Sequence, residues 1–280
     1  MRVVITGANG QLGNALVEKV PGGFKIISLT REDFDLRERN KLYQFLIEVQ
    51  PEIVINTAAF HNTTRCEEMP EVAMLVNSGI PVLIARIINK WSGIFVFIST
   101  DYVFNGEKRG DYYYEDDIPA PINIYGLSKY TGEYGVKLVN SRSYIIRTSS
   151  LFGKTSKPEG NFVQKIINKA KHEDHIEVVN DIFMTPSFAG DVANRIWEII
   201  QKRLPYGIYH VSNTGVTNWY EYSLEIIKLS GLKTHVIPTS YTKIDSKLRR
   251  PLWSPLGSKK LPPLRHWKEA LKEFISKELR

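Results

Sequence analysis

The sequence predicts an α/β protein, a doubly wound parallel sheet over residues 1–150 followed by a smaller segment over 151–280. Three observations carry this reading. Five short β-branched runs occupy the first half, stretches with helical spacing separate them, and three glycines follow the first run directly. The runs are "RVVIT" (2–6), "KIISL" (25–29), "EIVIN" (52–56), "IFVFIS" (94–99) and "SYIIRT" (143–148). They are continuously apolar instead of alternating, as expected of strands covered on both faces. Amphipathic stretches at about 11–20, 38–49, 70–90 and 124–139 supply the crossovers. Right-handed crossovers then place ligands at the carboxyl ends of the strands. After residue 150 the alternation loosens. "FGKTSKPEGN" and "DIFMTPSFAG" separate helices expected near 160–171, 188–202 and 217–230, and a last helix is expected at 267–278. This segment is expected to lie over the carboxyl edge and close on a substrate.

Composition narrows the class. A single cysteine, Cys66, excludes an intrachain disulfide framework and suits a reducing compartment. With no histidine beside it in sequence, its thiol is read as inert. No run of 18 apolar residues marks a membrane span. "MRVVITGANG" opens as strand and turn with no signal-peptide pattern, so a cytoplasmic protein is expected. The net charge of +7 is spread along the chain, with a weak concentration at Lys243, Lys247, Arg249, Arg250, Lys259 and Lys260. Nucleic-acid binding calls for a denser patch, so an anionic small molecule is the expected partner. His172 and His175 lie in a lysine-flanked turn and read as surface residues, leaving no metal site.

In "ITGANGQLGNAL", Gly7, Gly10 and Gly13 stand between the first strand and a helix. Glycines there permit a tight turn and bring the backbone close to a pyrophosphate at the helix N-terminus, the Rossmann arrangement, here spaced G-x-x-G-x-x-G. At the end of the second strand Arg31 is placed to pair with a ribose 2′-phosphate. That favours NADP(H), with NADH still admissible because Glu32 and Asp33 follow. Asp35 and Leu36 belong to a loop expected to pass beneath the adenine. Thr57, Ala58 and Ala59 are small residues where the chain must pass close to the cofactor.

"FISTDYVF" brings Thr100, Asp101 and Tyr102 to the carboxyl edge, and "IYGLSKYTGE" puts Tyr125 and Lys129 on one helix face. A hydroxyl, a phenol and an ammonium are the set needed to reduce a carbonyl. Thr100 would hold the carbonyl oxygen and Tyr125 would give the proton. Lys129 would bind the nicotinamide ribose and lower the phenol from its ordinary pKa of about 10.

With these motifs the chain resembles an extended short-chain dehydrogenase/reductase, and within that superfamily the dTDP-4-dehydrorhamnose reductase family. The matching pieces are "GANGQLG", "PEIVINTAAFHNTTRCEEMPEVAMLVN", "ISTDYVFNG", "IYGLSKYTGE", "GNFV", "GIYHVSNTGVTNWYEY" and "RRPLWSPL". The resemblance implies NADPH-dependent reduction of the 4-keto group of a dTDP-linked 6-deoxy sugar. It implies that Thr100, Tyr125 and Lys129 are catalytic, that Asp101 and Tyr102 lie against the sugar, and that Gly7, Asn9, Gly10, Gln11, Leu12 and Gly13 hold the cofactor phosphates. A homodimer is compatible with it. The chain departs from the family pattern at "RTSSLFG", where Ser150 stands in place of a tryptophan that shapes the sugar pocket, and at "NDIFMTPS". Arg250 is expected at the diphosphate, because a guanidinium fork matches phosphate geometry; a solvated basic turn is the alternative. Asn161 is expected at the nucleotide base, or else as a helix cap. Tyr112, Tyr113 and Tyr114 read as lid contacts. Two other functions share the motif set: a non-catalytic subunit like the β subunit of methionine adenosyltransferase, and a nucleotide-sugar epimerase.

Overall fold

The computed structural model describes residues 1–155, 160–244 and 248–278; Lys247 of the basic tail and residues 156–159 of the "FGKTSKPEGN" stretch lie outside the described residues. Strands β1 (Arg2–Thr6), β2 (Lys25–Leu29), β3 (Ile53–Asn56), β4 (Ile94–Thr100) and β5 (Ser143–Thr148) form at the expected runs. A sixth strand, Gly207–His210, completes a parallel sheet in the order Gly207–His210, β5, β4, β3, β1, β2. The strand order reverses between β1 and β3, the place where such sheets open a crevice for a ligand. Only four residues long, the sixth strand leaves too brief an apolar pattern to be seen in the sequence.

Alternate residues of each strand feed two cores. Val3, Ile5, Ile53, Ile55, Val96 and Ile98 face α1 (Gln11–Glu18) and the helix Ala189–Gln201, where Trp197 is buried and donates Nε1–H to the Leu16 carbonyl at 3.1 Å. Val4, Val54, Phe95 and Phe97 face α2 (Arg39–Val49) and the helix Ile80–Ile88. This two-sided burial is why the runs are apolar throughout. The stretch Pro70–Trp91 is long and apolar enough, by length and composition, to cross a membrane, although it carries Glu71, Asn77, Arg86 and Lys90. Half of it is buried inside the fold, where Ile80, Ile84 and Ile88 pack on the sheet.

A third core is built entirely from residues beyond 150. Phe152, Val163, Ile166, Tyr222, Ile226, Trp267, Leu271 and Phe274 meet there, joining the helices Phe162–Ala170, Trp219–Ser230 and Trp267–Glu278. Beside it the strands His175–Val179 and His235–Thr239 pair in parallel. The helix Ala189–Gln201 and the strand Gly207–His210 return from this half to the main sheet.

The helix Ile124–Val139 sits unusually close to the sheet's carboxyl edge. Asn123 caps it, its side-chain oxygen accepting from the Gly126 amide at 2.8 Å. A Cβ at position 126 would come within 2.1 Å of the Tyr102 carbonyl oxygen, and one at 132 within 2.4 Å of the Asn77 carbonyl oxygen. Only glycine allows that approach. Gly132→Ala is therefore expected to destabilise the protein by about 1–3 kcal/mol through overpacking. A denaturant midpoint equal to that of the parent would show that the approach is dispensable.

Candidate active site

The glycine loop has the geometry of a phosphate cradle. Gly7 has φ +70°, a left-handed conformation, and its missing Cβ would stand 2.8 Å from the Ala58 amide nitrogen. At Gly13 a Cβ would come within 2.3 Å of the Gly7 carbonyl oxygen, which holds α1 tightly against the turn. Gly10 caps α1, and the first intrahelical bond runs from the Asn14 amide to the Gly10 carbonyl at 2.9 Å. The amides of Gln11, Leu12 and Gly13 thus precede the hydrogen-bonded ladder and point out of the helix start, where an anion is favoured. Thr57 locks the loop from β3: its hydroxyl donates to the Thr6 carbonyl at 2.7 Å and lies 3.1 Å from the Gly7 carbonyl. Ala58 and Ala59 follow, both part-buried.

The expected cofactor residues divide by what their side chains do. Leu12 is buried in the first core, so only its backbone can serve a ligand. Asn9 is exposed on the loop. The Gln11 side-chain oxygen is buried without a partner among the described residues, and as an acceptor it suits a ligand hydroxyl better than a phosphate. Ser99 Oγ and Thr148 Oγ1, at the ends of β4 and β5, are likewise buried and unpartnered. A cradle that only glycine permits, together with orphaned polar atoms at the same edge, fits a bound dinucleotide. Arg31 is exposed at the end of β2. The carboxylate two residues on is turned away from it, since Asp33 accepts from the Thr30 amide at 2.7 Å and from its hydroxyl at 2.9 Å. Asp35 is engaged by Arg37 at 2.6 Å, an ion pair the sequence reading missed, and Leu36 packs part-buried against the second core.

The carbonyl-reducing set comes together. Thr100 ends β4 with its hydroxyl donating to Asp101 Oδ1 at 3.0 Å, while its oxygen accepts from the Tyr102 amide at 3.2 Å. Tyr125 meets the Tyr102 ring edge-on at the turn after Thr100, centroids 5.7 Å apart. Its ring keeps part of its surface open, but burial around the hydroxyl pushes the phenol above its ordinary value of 10, the hydrogen bond with Thr100 offsetting only part of this. The expected depression by Lys129 is thus overturned: burial sets the direction of the shift. Lys129 is 2% exposed, and its Nζ lies 4.2 Å from the centre of the Phe97 ring. Burial lowers its amine from 10.5 to about 7, with Glu133 one turn further on acting in the opposite sense.

Asp101 is enclosed by the chain. Buried at 3% exposure, it accepts at Oδ2 from Ser149 at 3.0 Å and from Ser254 at 2.5 Å, and burial raises it to about 6 against these bonds. Through these bonds one carboxylate ties together the end of β4, the residue after β5 and the segment around Ser254. Asn161 takes up the helix-cap alternative foreseen for it. Its oxygen accepts from the Gln164 amide at 3.1 Å in a capping box and its amide donates to the Gly153 carbonyl at 2.6 Å. Ser150 adopts φ +43°, an uncommon conformation for a residue with a side chain. Arg250 does reach the edge, with Nη1 3.4 Å from the Tyr102 hydroxyl. Tyr113 is not a lid contact but a core residue stacked on Phe104 at 4.2 Å.

Several contributors were missed. The strap 249–257 is tied to the catalytic helix by Asn123, which donates to the Arg249 carbonyl at 2.9 Å, and to the Tyr112–Tyr114 loop by Tyr113 N–H to the Pro255 carbonyl at 2.8 Å. Asn77, on a π-helical turn (Leu75–Gly79), joins Phe60 of the β3 loop to Ser128 of the catalytic helix through bonds of 2.9 and 3.0 Å. Glu133 takes a bidentate bond from buried Arg147 at 2.9 and 2.7 Å. Arg147 Nη1 stands 3.4 Å from His210 Nε2, while Nδ1 faces the carbonyls of Tyr113 and Gly257. Glu133 was visible as the fourth residue after Lys129; its partners are distant in sequence and left no local signal.

A nucleotide cradle, a sheet order with its crevice between β1 and β3, and a Thr–Tyr–Lys group at the neighbouring edge define an extended short-chain dehydrogenase/reductase. The RmlD substrate binding domain model matches residues 1–280. The chain is 35% identical over 279 residues to the spore coat polysaccharide biosynthesis protein SpsK of Bacillus subtilis, covering 98% of this chain and 96% of that one. Among solved structures, a dTDP-4-dehydrorhamnose reductase of Clostridium acetobutylicum superimposes with a TM-score of 0.94 at 34% identity, covering 99% of both chains. One from Bacillus anthracis, in complex with NADP, gives 0.93 at 34% identity over 98% of both. The chain belongs to the dTDP-4-dehydrorhamnose reductase family.

The low amine pKa has a consequence for stability. Lys129 binds its proton less readily when folded, so the ionised lysine opposes folding, and stability is lost as pH falls from 10.5 through about 7. Lys129→Met is expected to raise the melting temperature at pH 7 by several degrees, at about 2–4 °C per kcal/mol relieved. The difference from the parent should shrink towards pH 10 in calorimetric scans; a pH-independent difference would count against a desolvated amine.

Proposed function

We propose that the protein reduces the 4-keto group of a dTDP-linked 6-deoxy sugar with NADPH, turning dTDP-4-dehydrorhamnose into dTDP-L-rhamnose. The observation that carries this is the packing of Tyr125 against Tyr102 at the carboxyl end of β4, beside a phosphate cradle on the next strands. When bound, NADPH supplies the hydride for the carbonyl carbon. The loop Gly7–Gly13 and the amides of Gln11, Leu12 and Gly13 would hold its diphosphate, with Arg31 at the 2′-phosphate and Lys129 at the nicotinamide ribose.

The chain's own groups handle the proton. Burial keeps Tyr125 in its neutral, donating form across the physiological range, as an acid for the carbonyl oxygen must be. Giving up that proton creates a phenolate in a dry place. Lys129, one helical turn away, is the cation available to stabilise it. Its amine is balanced near neutrality in the free protein, and the negative charges of two nucleotide ligands shift it towards the ammonium. Arg250 is set to meet the sugar nucleotide's diphosphate beside Tyr102. The formal charge of +7 favours encounter with two anionic ligands. On this reading the protein works in the cytoplasm, where ligands of this kind are metabolites.

The test is oxidation of NADPH in the presence of enzymatically prepared dTDP-4-keto-6-deoxy-L-mannose, with identification of the sugar formed. Tyr125→Phe is expected to lower kcat by about 10²–10⁴-fold while NADPH still binds. No turnover of any keto-sugar nucleotide by the parent protein would end this reading. Arg31→Ala is expected to weaken NADPH by about tenfold or more, the worth of a lost charge-assisted bond, and to leave NADH binding unchanged in fluorescence titrations. Equal losses for both would remove Arg31 from the 2′-phosphate.

A further inference from the structure

The amino edge of the main sheet holds a cavity of about 400 Å³. Ile94 at the start of β4, Arg142 just before β5 and Tyr206 just before the strand Gly207–His210 line it, together with Phe24, Ile200 and Arg203. From this edge β4 runs to Thr100 as Ile94–Thr100, so the cavity lies about 20 Å from the site described above. Its volume falls within the range of small-molecule sites. Among the described residues no carboxylate lines it.

Its two cations are unmatched. Among the described residues neither the Arg142 nor the Arg203 guanidinium meets a carboxylate; Arg142 lies over the Tyr206 ring instead, 5.8 Å from its centre. Acids on adjoining elements are engaged elsewhere, Glu52 by Arg2 and Glu198 by Arg195 and Lys202. Two like charges on one wall repel, and an anion bound to both relieves the repulsion.

Arg203 is held there at a conformational cost. The helix Ala189–Gln201 ends in a Schellman motif, with Arg203 N–H on the Ile200 carbonyl at 3.2 Å and Leu204 N–H on the Ile199 carbonyl at 3.1 Å. The residue at this turn is left-handed, φ +50°, a place ordinarily taken by glycine. A β-carbon is disfavoured in that conformation, so helix termination alone gives no reason for an arginine. Tyr206 is supported from below: its ring packs on Tyr144, centroids 4.9 Å apart, and stays 41% exposed. The Tyr144 hydroxyl in turn donates to the Leu204 carbonyl at 2.7 Å, which ties the ring pair to the Arg203 turn.

Guanidinium forks match phosphate oxygens, and a supported, exposed ring matches the face of a planar base. We propose that this cavity is a second nucleotide site, which takes a nucleoside diphosphate with its phosphates on Arg142 and Arg203 and its base against Tyr206. The proposal is independent of the reductase reading, since no residue of the catalytic edge belongs to the cavity.

The test is calorimetric titration of dTDP into the protein saturated with NADPH, which occupies the glycine cradle. The parent, the double variant Arg142→Ala/Arg203→Gly, and Arg250→Ala are compared. The expected result is a dTDP site that Arg250→Ala keeps and the double variant weakens by about 100-fold, tenfold for each charge-assisted bond. No such site in the parent, or one that survives in the double variant, overturns the proposal. Arg203→Gly alone suits the left-handed turn. It is expected to raise the melting temperature by about 2 °C while weakening dTDP by about tenfold, which separates lost binding from lost folding. Full affinity in this variant overturns the proposal even if the double variant fails to fold. Inorganic pyrophosphate is the control for the base: it is expected to bind about tenfold more weakly than dTDP, and Tyr206→Ala to remove the difference. Equal affinities in the parent would assign the cavity to a free diphosphate and overturn the nucleoside claim. None of these measurements depends on turnover, so failure of the reductase reading would leave them unchanged.

Discussion

The chemistry of this protein depends on how closely one helix lies against one strand end. The helix Ile124–Val139 meets the turn after β4 at Gly126 and the Asn77 carbonyl at Gly132, with no side chain at either place. That approach encloses Thr100, Asp101 and Lys129 and draws the Tyr125 hydroxyl into the same dry volume. Desolvation then sets every proton affinity in the group. It pushes the phenol and the carboxyl up and the amine down, each towards the uncharged form. A helix held an ångström further out would admit water, and the three groups would return to ordinary surface behaviour.

Such a set is quiet until charge arrives. A neutral phenol and an amine balanced near pH 7 do nothing alone, and both suit a site whose ligands bring their own phosphates. The basic surplus of the chain is spread out and serves encounter. Deep inside, Arg147 and Glu133 form a well-matched pair, where a bidentate geometry and a neutral His210 leave little unpaired. That pair lies one turn beyond Lys129 and fixes the far end of the same helix face.

Much of this was legible in the sequence because the signals are local. Five strands, the glycine turn and the spacing of Tyr125 from Lys129 each depend on fewer than a dozen neighbouring residues. What stayed hidden was settled by long-range partners. Ser254 bonds to Asp101 across 153 positions, and Asn123 to Arg249 across 126. The sense of the Tyr125 shift was misjudged because spacing records a neighbouring charge but not the depth of burial. Asn161 stood open between a ligand and a helix cap, and Asp101 had its place from resemblance alone, because decisive partners, Gly153 for the one and Ser149 and Ser254 for the other, are not sequence neighbours. In the structure their polar atoms bond to the chain itself: Asn161 caps a helix, and Asp101 gathers three hydroxyls.

The second half of the chain is more than a cover for the first. The helix Ala189–Gln201 and the strand Gly207–His210 return to the main sheet, while a core of aromatic rings holds the remaining helices together. Between the two runs the strap 249–257, bonded at Asn123, Phe183, Tyr113 and Asp101. A strap fastened at so many points cannot shift locally without disturbing the end of β4. The end of β4 and this segment are therefore mechanically linked through Asp101. The link also explains why buried serines, and not apolar residues, stand at 149 and 254: a desolvated carboxyl needs donors, and these two hydroxyls supply one oxygen while Thr100 supplies the other.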